Sequence, residues 1–273
     1  SRTPGTAVLG AQRLTLCWRL ARVGVHLASG LAQCALLFPL LKFHQRGLLV
    51  RRWSRQLTRI FGIALDIQGT GSGADAGAVV ANHVSWIDVF VLNAVAPCRF
   101  VAKSEVRQWP AIGWLSARAG TLYIARGKRS ALVKANATIA HHLAQGERLA
   151  FFPEGTSGPQ GAVLPFHANL FEGVVQAQAP VLPVAIVYFD TTGVASSAAE
   201  YIGDMSLWQS IVSLLTQGPF VATVIFLPPI EPAGMDRRAL SAATHAAVST
   251  GLASVMRGGQ TTLGAETLSK GRI

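Results

Sequence analysis

The architecture can be worked out from one run of residues, Ala78-Val79-Val80-Ala81-Asn82-His83-Val84-Ser85-Trp86-Ile87-Asp88. Its first four residues are apolar, which is typical of a buried strand, and the polar residues that follow predict a turn. We expect Ser85 to cap the next helix, so that Asp88 occupies the third helical position and can accept a hydrogen bond from the His83 ring. A histidine held in this way is a directed general base. In isolation, such a pair is more often an incidental polar contact or a capping arrangement.

Strand-like and helix-like segments alternate along most of the chain. Strands are predicted near 63–67, 78–82, 98–102, 121–125, 148–152, 181–188 and 220–227. Helices are predicted near 85–94, 110–118, 129–145, 167–178, 206–217 and 236–256. This alternation predicts an α/β fold, a single layered domain with a largely parallel central sheet flanked by helices. Pro183 falls inside one predicted strand, which favours an edge or a bulge over a central ladder.

The N-terminal region is both basic and apolar. The formal charge of the chain is +11, and residues 1–65 contain no acidic residue. The cations of this region are Arg2, Arg13, Arg19, Arg22, Lys42, Arg46, Arg51, Arg52, Arg55 and Arg59. The 19 residues from Val23 to Leu41 are almost wholly apolar, near the length that crosses a bilayer, and a basic amphipathic helix containing Trp53 follows them.

These features predict an N-terminal membrane-associating helical segment over residues 1–62, ahead of a catalytic domain over 63–256 and a loose tail over 257–273. Glycines and a proline interrupt the apolar stretch, and positive charge flanks both of its ends. We therefore expect the segment to lie in one leaflet rather than to span the bilayer. The alternative is that these helices simply pack on the catalytic domain.

Several classes of function are disfavoured by the sequence. The residues between the N-terminal charges are apolar, which favours an anionic membrane surface over nucleic acid as the partner. The chain has no G-x-S-x-G pentapeptide, the signature of a serine hydrolase. Cys17, Cys34 and Cys98 lack the spacing of metal ligands or redox pairs. The histidines other than His83, including His141, His142 and His167, show no metal-ligand spacing either, so we expect no metal or other cofactor.

Two further polar clusters follow predicted strands. The strand from Gly120 ends in Arg126, whose guanidinium group suits a phosphate or a carboxylate. The run from Phe151 to Ser157 presents an acid, a glycine and two hydroxyls after an aromatic strand. Because strand ends in such sheets meet at a crevice where ligands bind, we expect these clusters to join His83 there. Alone, they would be a solvated basic loop and a capping turn.

In this order and spacing, the segments resemble the glycerolipid acyltransferase family, which includes the bacterial 1-acylglycerol-3-phosphate acyltransferases. The resemblance covers residues 78–190. Its four blocks are matched by Asn82 to Asp88 (N-H-x-x-x-x-D), Gly120 to Arg126, Phe152 to Thr156 (F-P-E-G-T) and Val181 to Val184. The stretches Phe100 to Val106 and Leu164 to Leu170 also look like the lyso-ornithine lipid acyltransferase branch.

The resemblance implies transfer of a fatty acyl group from coenzyme A or acyl carrier protein to the free hydroxyl of a lysolipid. By the same resemblance, His83 would remove the proton from that hydroxyl, and Asp88 would orient the ring and stabilise the imidazolium. No covalent acyl-enzyme is needed. We expect such a protein at the cytoplasmic face of the inner membrane, in contact with membrane lipids.

The resemblance also implies an acceptor site. Arg126 would bind the anionic head group, and the residues lining the site would be Glu154, Gly155, Thr156 and Ser157. Phosphatidate-forming members usually place an arginine after F-P-E-G-T, where this chain has Ser157. We expect 1-acylglycerol-3-phosphate as the acceptor, giving phosphatidic acid, with lyso-ornithine lipid as the alternative. The non-enzyme alternative is a membrane-surface lipid-binding protein.

Overall fold

A computed structural model of the chain describes residues 4–69, 77–125 and 129–262. The helices of this part are α1 Pro4–Leu36, α2 Phe43–Ile60, α3 Asp88–Val95, α4 Ile112–Arg118, α5 Arg129–Ala144, α6 Phe171–Ala177, α7 Leu207–Gln217 and α8 Arg237–Thr262. The strands are β1 Ile63–Gly69, β2 Gly77–Ala81, β3 Arg99–Lys103, β4 Leu122–Ile124, β5 Arg148–Phe151, β6 Val181–Phe189 and β7 Phe220–Phe226. Each predicted strand is present, with ends shifted by one or two residues in most cases.

One seven-stranded sheet organises the domain, in the order β1-β7-β6-β2-β5-β3-β4. The described strand pairs are parallel except for β6 and β7, so the prediction of a largely parallel sheet is confirmed. β2 lies in the middle, and its residues are buried on both faces. On one face Val79 and Ala81 join a core with α2, α3 and α7; on the other, Ala78 and Val80 join a core with α5, α6 and α8. The continuous apolar run is therefore what a strand covered on both faces requires.

Pro183 lies in the centre of the sheet, not at its edge. It belongs to β6, which is paired with β2 on one side and β7 on the other. On the β7 side Val184 faces Phe226 whereas Val181 faces Ile230, so the partner chain has one extra residue opposite Pro183. Proline has no backbone N–H to donate to a neighbouring strand. The ladder is interrupted here by a bulge, so proline is accommodated without an edge position.

The N-terminal helices pack on the domain, as the alternative reading of the sequence supposed. His26 of α1 stacks on Trp53 of α2 with 4.4 Å between ring centroids, and the Trp53 indole donates to the His26 carbonyl oxygen. Gly30 makes this approach possible, because a Cβ there would lie 2.7 Å from the Trp53 nitrogen. Arg55 was predicted to face the membrane, but it donates to the carbonyl oxygen of Ala94 at the end of α3 and so links α2 to the domain.

The outer face of α1 is nevertheless apolar and exposed. Its exposed residues recur every three or four positions; we call them the α1 stripe: Leu14, Trp18, Ala21, Val25, Ala28, Ala32 and Leu36. By length and composition, the segment Leu14–Leu40 could cross a membrane, and 22% of its most apolar window is buried. Because so little of this apolar segment is buried, α1 is a candidate for membrane association.

The C-terminal boundary differs from the sequence prediction. α8 continues to Thr262, beyond the expected start of a loose tail at residue 257. Its middle section packs on the sheet through Val248 and Leu252. Residues 263–273 lie outside the described part of the chain.

Candidate active site

The turn after β2 holds the predicted pair in hydrogen-bonding contact. His83 Nδ1 lies 2.8 Å from Asp88 Oδ2, and the Asp88 side chain is fully buried. Asn82 anchors the start of this turn, because its amide group both donates to and accepts from the backbone of Ile186 on β6. The turn is thus fixed to the neighbouring strand before it presents the histidine.

The expected role of Ser85 as helix cap is wrong. α3 begins at Asp88 itself, and the Ser85 hydroxyl is buried without a hydrogen-bond partner. Instead, Asp88 Oδ2 accepts from the backbone N–H groups of Val84 and Ser85, at 2.8 and 2.9 Å. A carboxylate is a strong acceptor, so Asp88 reaches back to N–H groups that precede α3, whereas a serine cap would accept from N–H groups inside the helix. One oxygen therefore shapes the turn and orients the histidine.

The histidine ring is held in one orientation with one nitrogen available. It stacks on Phe152, with 4.0 Å between centroids and 10° between planes. Because the Asp88 carboxylate only accepts hydrogen bonds, Nδ1 carries the proton and Nε2 presents a lone pair. His83 lines a cleft, so this lone pair is available to a substrate.

Glu154 faces the turn rather than the acceptor site that the sequence predicted for it. Its side chain is 5% exposed, and Oε1 accepts from the backbone N–H of His83 at 3.0 Å. The backbone N–H of Gly158 donates to the His83 carbonyl oxygen at 2.7 Å. The loop after β5 therefore forms hydrogen bonds with both the N–H and the C=O of His83. Glu154 acts on the histidine through the His83 main chain.

Burial, with a smaller contribution from the charge of Asp88, raises the pKa of the Glu154 carboxyl from 4.5 to about 7, against the lowering effect of the His83 and Leu164 N–H groups. In the unfolded protein the Glu154 carboxyl loses its proton at a lower pH than in the folded protein. The wild-type protein should therefore lose stability as pH rises from 5 to 8. Glu154→Gln keeps an acceptor for the His83 N–H and cannot ionise. We expect its stability relative to wild type to increase by about 2 kcal/mol over this range.

Thermal unfolding of both proteins between pH 5 and pH 8 tests this expectation. The two Tm curves should diverge as pH rises, with the variant above the wild type at pH 8. Glu172→Gln, a change at a half-buried carboxylate on α6 whose pair with Arg237 is long, at 3.9 Å, is the matched control and should follow the wild-type curve. Parallel curves for Glu154→Gln and wild type would contradict a buried carboxyl that ionises near neutral pH.

The cleft at the dyad has a volume of about 900 Å³. The loop after β5 contributes Gly155, Thr156 and Ser157 to its wall, and their predicted contact with an acceptor stays a prediction. Gly155 has φ = +70°, a backbone conformation that favours glycine. The Ser157 hydroxyl donates to the Tyr201 carbonyl oxygen, so it holds the loop to a neighbouring segment.

The rest of the cleft is largely apolar. It runs from α1 and α2 past His83 to α4, and its walls include Leu27, Trp53, Ile112 and Leu115. Lys103, at the end of β3, also lines it. Such a cleft can hold an extended hydrocarbon chain beside the lone pair of the histidine.

Arg126 lies outside the described residues, so its predicted role stays a prediction. Ala125, the residue before it, lines the cleft after β4. Among the described residues, no group of three or more His, Cys, Asp or Glu side chains is placed to hold a metal ion. The polar groups of the described cleft include His83 of the dyad, the loop after β5 and Lys103.

Sequence reasoning missed Tyr188. Its hydroxyl donates to Asp88 Oδ1 at 2.5 Å across a sequence separation of 100 residues. The only signal in the sequence was a phenol in an otherwise apolar strand, and such a residue is usually part of a core. Phe152 was recognised as part of a motif, but its stacking on His83 was not.

Comparison with known proteins agrees with this geometry. The family model described as Acyltransferase matches residues 72–187. The chain is 40% identical over 169 residues to the lyso-ornithine lipid O-acyltransferase of Pseudomonas aeruginosa, a match that covers 62% of this chain and 65% of that protein. It is 40% identical over 123 residues to the 1-acyl-sn-glycerol-3-phosphate acyltransferase of Neisseria gonorrhoeae, covering 45% and 48%. The chain thus spans less than two thirds of either enzyme.

A longer match is found to the lyso-ornithine lipid O-acyltransferase of Brucella abortus, 32% identical over 231 residues that cover 80% of this chain and 86% of that protein. The fold matches the crystal structure of the 1-acyl-sn-glycerophosphate (LPA) acyltransferase of Thermotoga maritima, with a TM-score of 0.65, 20% identity and coverage of 90% and 96%. The predicted fold and family are therefore confirmed. This chain belongs to the acyltransferase family.

Proposed function

We propose that this protein transfers a fatty acyl group from an acyl thioester to the free hydroxyl of a lysolipid. The observation that carries the proposal is His83, whose Nδ1 is held by Asp88 and which lines a largely apolar cleft of about 900 Å³. The names of the relatives, all lysolipid O-acyltransferases, support the same chemistry.

The reaction follows from the ring geometry. Nε2 of His83 takes the proton of the acceptor hydroxyl as the oxygen attacks the thioester carbonyl carbon. The tetrahedral intermediate collapses, the C–S bond breaks, and the imidazolium returns the proton to the leaving thiolate. Products are an ester and a free thiol, and no covalent acyl-enzyme forms. Asp88 stabilises the imidazolium between the two proton transfers.

Positioned base catalysis supplies about 10² to 10⁴ in rate. The remainder must come from holding two lipid substrates in line, which is a task for the cleft. Phe152 contributes by fixing the ring plane, and the loop after β5 contributes by holding the His83 backbone. Gly155 and Thr156 line the cleft, which supports the proposal that they contact the acceptor.

Two acceptors remain candidates, 1-acylglycerol-3-phosphate and lyso-ornithine lipid. The first needs cations for a phosphomonoester, and Arg126 would supply one. At position 157 this chain has a serine whose hydroxyl is used in the loop, where a phosphatidate-forming enzyme usually has a second cation. This observation, together with the length of the match to the Brucella abortus enzyme, favours the zwitterionic, phosphorus-free acceptor.

An assay with labelled acyl thioester in detergent tests the proposal and separates the acceptors. Acyl-CoA and acyl carrier protein are each supplied as donor, with lyso-ornithine lipid and 1-acylglycerol-3-phosphate as acceptors. We expect a diacyl product from at least one pair, and faster turnover with lyso-ornithine lipid. Absence of transfer from either donor to either lysolipid would favour the lipid-binding alternative.

We also propose that the protein works at the cytoplasmic face of the inner membrane, where both thioester donors and membrane lysolipids are accessible. The α1 stripe supports this, because exposed apolar side chains on one helix face gain free energy in a bilayer. Exposed cations beside it, such as Arg22 and Arg59, suit an anionic surface.

Removing the apolar character of the α1 stripe should weaken membrane binding. The triple variant Leu14→Gln, Trp18→Gln, Val25→Gln replaces side chains that are 74%, 66% and 72% exposed, so folding should be little affected. We expect its partition to anionic liposomes to fall at least about tenfold in a co-sedimentation assay. The double variant Val133→Gln, Val194→Gln, at exposed apolar positions outside α1, is the control and should bind like wild type. Equal loss in both would contradict a membrane role for the stripe.

A further inference from the structure

Tyr188 is a buried phenol in direct contact with the proposed dyad. It lies on β6 with 0% exposure, and its hydroxyl donates to Asp88 Oδ1 at 2.5 Å. The other carboxylate oxygen of Asp88 is occupied by His83 and by two backbone N–H groups. Each oxygen of the buried carboxylate therefore has a donor, and Tyr188 is the donor for Oδ1.

A buried carboxylate oxygen without a donor is costly, and a hydrogen bond to a charged group is stronger than one between neutral groups. The tyrosine is well suited to the task because burial, together with the nearby charge of Asp88, raises its pKa well above 10, and it stays a donor throughout the physiological range. Its hydroxyl also fixes the rotation of the carboxylate. If the carboxylate turned, Oδ2 would lose its contact with the histidine ring.

The tyrosine is itself held by the segment that follows the loop after β5. The Gln160 side chain accepts from the Tyr188 N–H at 2.5 Å and donates to the Tyr188 carbonyl oxygen at 3.1 Å. The backbone N–H of Gln160 in turn donates to Glu200 at 2.9 Å. Tyr188 therefore has little freedom to move away from Asp88.

We propose that Tyr188 is a positioning residue of the dyad. Its hydroxyl holds the Asp88 carboxylate in hydrogen-bonding contact with His83 and draws part of the carboxylate's negative charge away from the ring. The proposal rests on the proposed function, in which His83 is the base. Tyr188 touches neither substrate nor the reacting atoms, so its effect must pass through Asp88.

Two changes at this position should act in opposite directions on the pH dependence. Tyr188→Phe removes the donor, so more of the carboxylate charge acts on the imidazolium, and the acid limb of the pH–kcat profile should move to higher pH by about half a unit. Incorporating 3-fluorotyrosine at position 188 makes the phenol a stronger donor while keeping its shape, and the same limb should move to lower pH. We also expect Tyr188→Phe to lower kcat about tenfold, the order for one lost hydrogen bond to a charged group, with KM changed less than about twofold.

The matched control is Thr223→Val on the neighbouring strand β7. Thr223 is also fully buried and also donates its hydroxyl to a carboxylate, that of Asp66, but its partner on β6 is Val187 rather than Tyr188. Its loss should lower stability without moving the pH–kcat profile. The titratable side chains that face Asp88 are His83, Tyr188 and Glu154, so each profile is also measured with Glu154→Gln, which removes the titration near pH 7.

The outcomes separate this inference from the proposed function. If wild type transfers no acyl group, or if His83→Ala is as active as wild type, the proposed function is wrong. If wild type is active and depends on His83, but neither Tyr188 change shifts the acid limb relative to Thr223→Val, Tyr188 is a core residue only. Should Tyr188→Phe not fold, the fluorotyrosine protein, which keeps the hydroxyl, decides the question alone.

Discussion

Replacing His83 by alanine is expected to lower kcat by about 10³-fold, within the range attributed to positioned base catalysis. The reason is that the lone pair on Nε2 is the proposed proton acceptor in the cleft, and alanine leaves none in its place. The fold should survive, because the turn is held by Asn82, by the Asp88 carboxylate and by Glu154 rather than by the ring. The measurement is the rate of diacyl lipid formation at saturating donor and acceptor, with Tm as the check on folding.

His141→Ala is the matched control for this change. His141 is exposed on α5, and its ring contacts Gln145, so its loss removes a histidine without touching the cleft. The control should be as active as wild type. Equal product from His83→Ala and wild type would remove the general base from the mechanism, and the His83–Asp88 contact would then be a feature of the turn.

Much of the fold was predictable because it depends on local pattern. The apolar run of β2 and the alternation of the following segments are set by residues that are close in sequence, and a sheet covered on both faces needs long apolar strands. The strand order and the antiparallel pairing of β6 with β7 were not predictable in this way. They depend on which surfaces fit together across the whole chain, and no short pattern records that.

The sequence named several residues that the structure brings together, but it did not predict their contacts. Motif spacing identified His83 and Asp88, whereas the donor to the second carboxylate oxygen comes from Tyr188, 100 residues away. Likewise, Glu154 is 71 residues from His83, and its contact is with a backbone N–H that any residue would provide. A contact with a backbone group leaves no trace in side-chain patterns. The sequence therefore indicated that Glu154 was important, but it did not indicate which group Glu154 contacts.

The N-terminal region illustrates a case in which two interpretations of the sequence are compatible. Hydropathy is consistent both with α1 packing on the domain and with α1 contacting the membrane. The structure divides the helix by face: His26 and Gly30 meet α2, while Trp18 and Val25 belong to the exposed α1 stripe. A helix that is apolar all round can serve both contacts, which is why hydropathy could not choose between them.

Two substitutions of Asp88 are expected to separate its structural role from its electrostatic role. Asp88→Asn can place its amide oxygen where Oδ2 lies, accepting from Val84, Ser85 and the His83 ring, with its NH₂ group directed to the Tyr188 oxygen. The turn and the ring tautomer are then kept while the negative charge is lost. We expect a Tm close to that of wild type and a kcat about 10²-fold lower, because the imidazolium loses its counter-charge.

Asp88→Ala should instead damage the fold, since it leaves two backbone N–H groups and the Tyr188 hydroxyl buried with no acceptor. At about 1 to 3 kcal/mol for each orphaned donor, we expect a loss of at least about 3 kcal/mol in the free energy of unfolding. Urea unfolding measures the stability, and acyl transfer measures the chemistry on the same preparations. If Asp88→Asn and Asp88→Ala were equally unstable, the amide would not be able to replace the carboxylate as a cap. If Asp88→Asn kept wild-type kcat, the charge of Asp88 would have no part in catalysis, and its role would be confined to shaping the turn that presents His83.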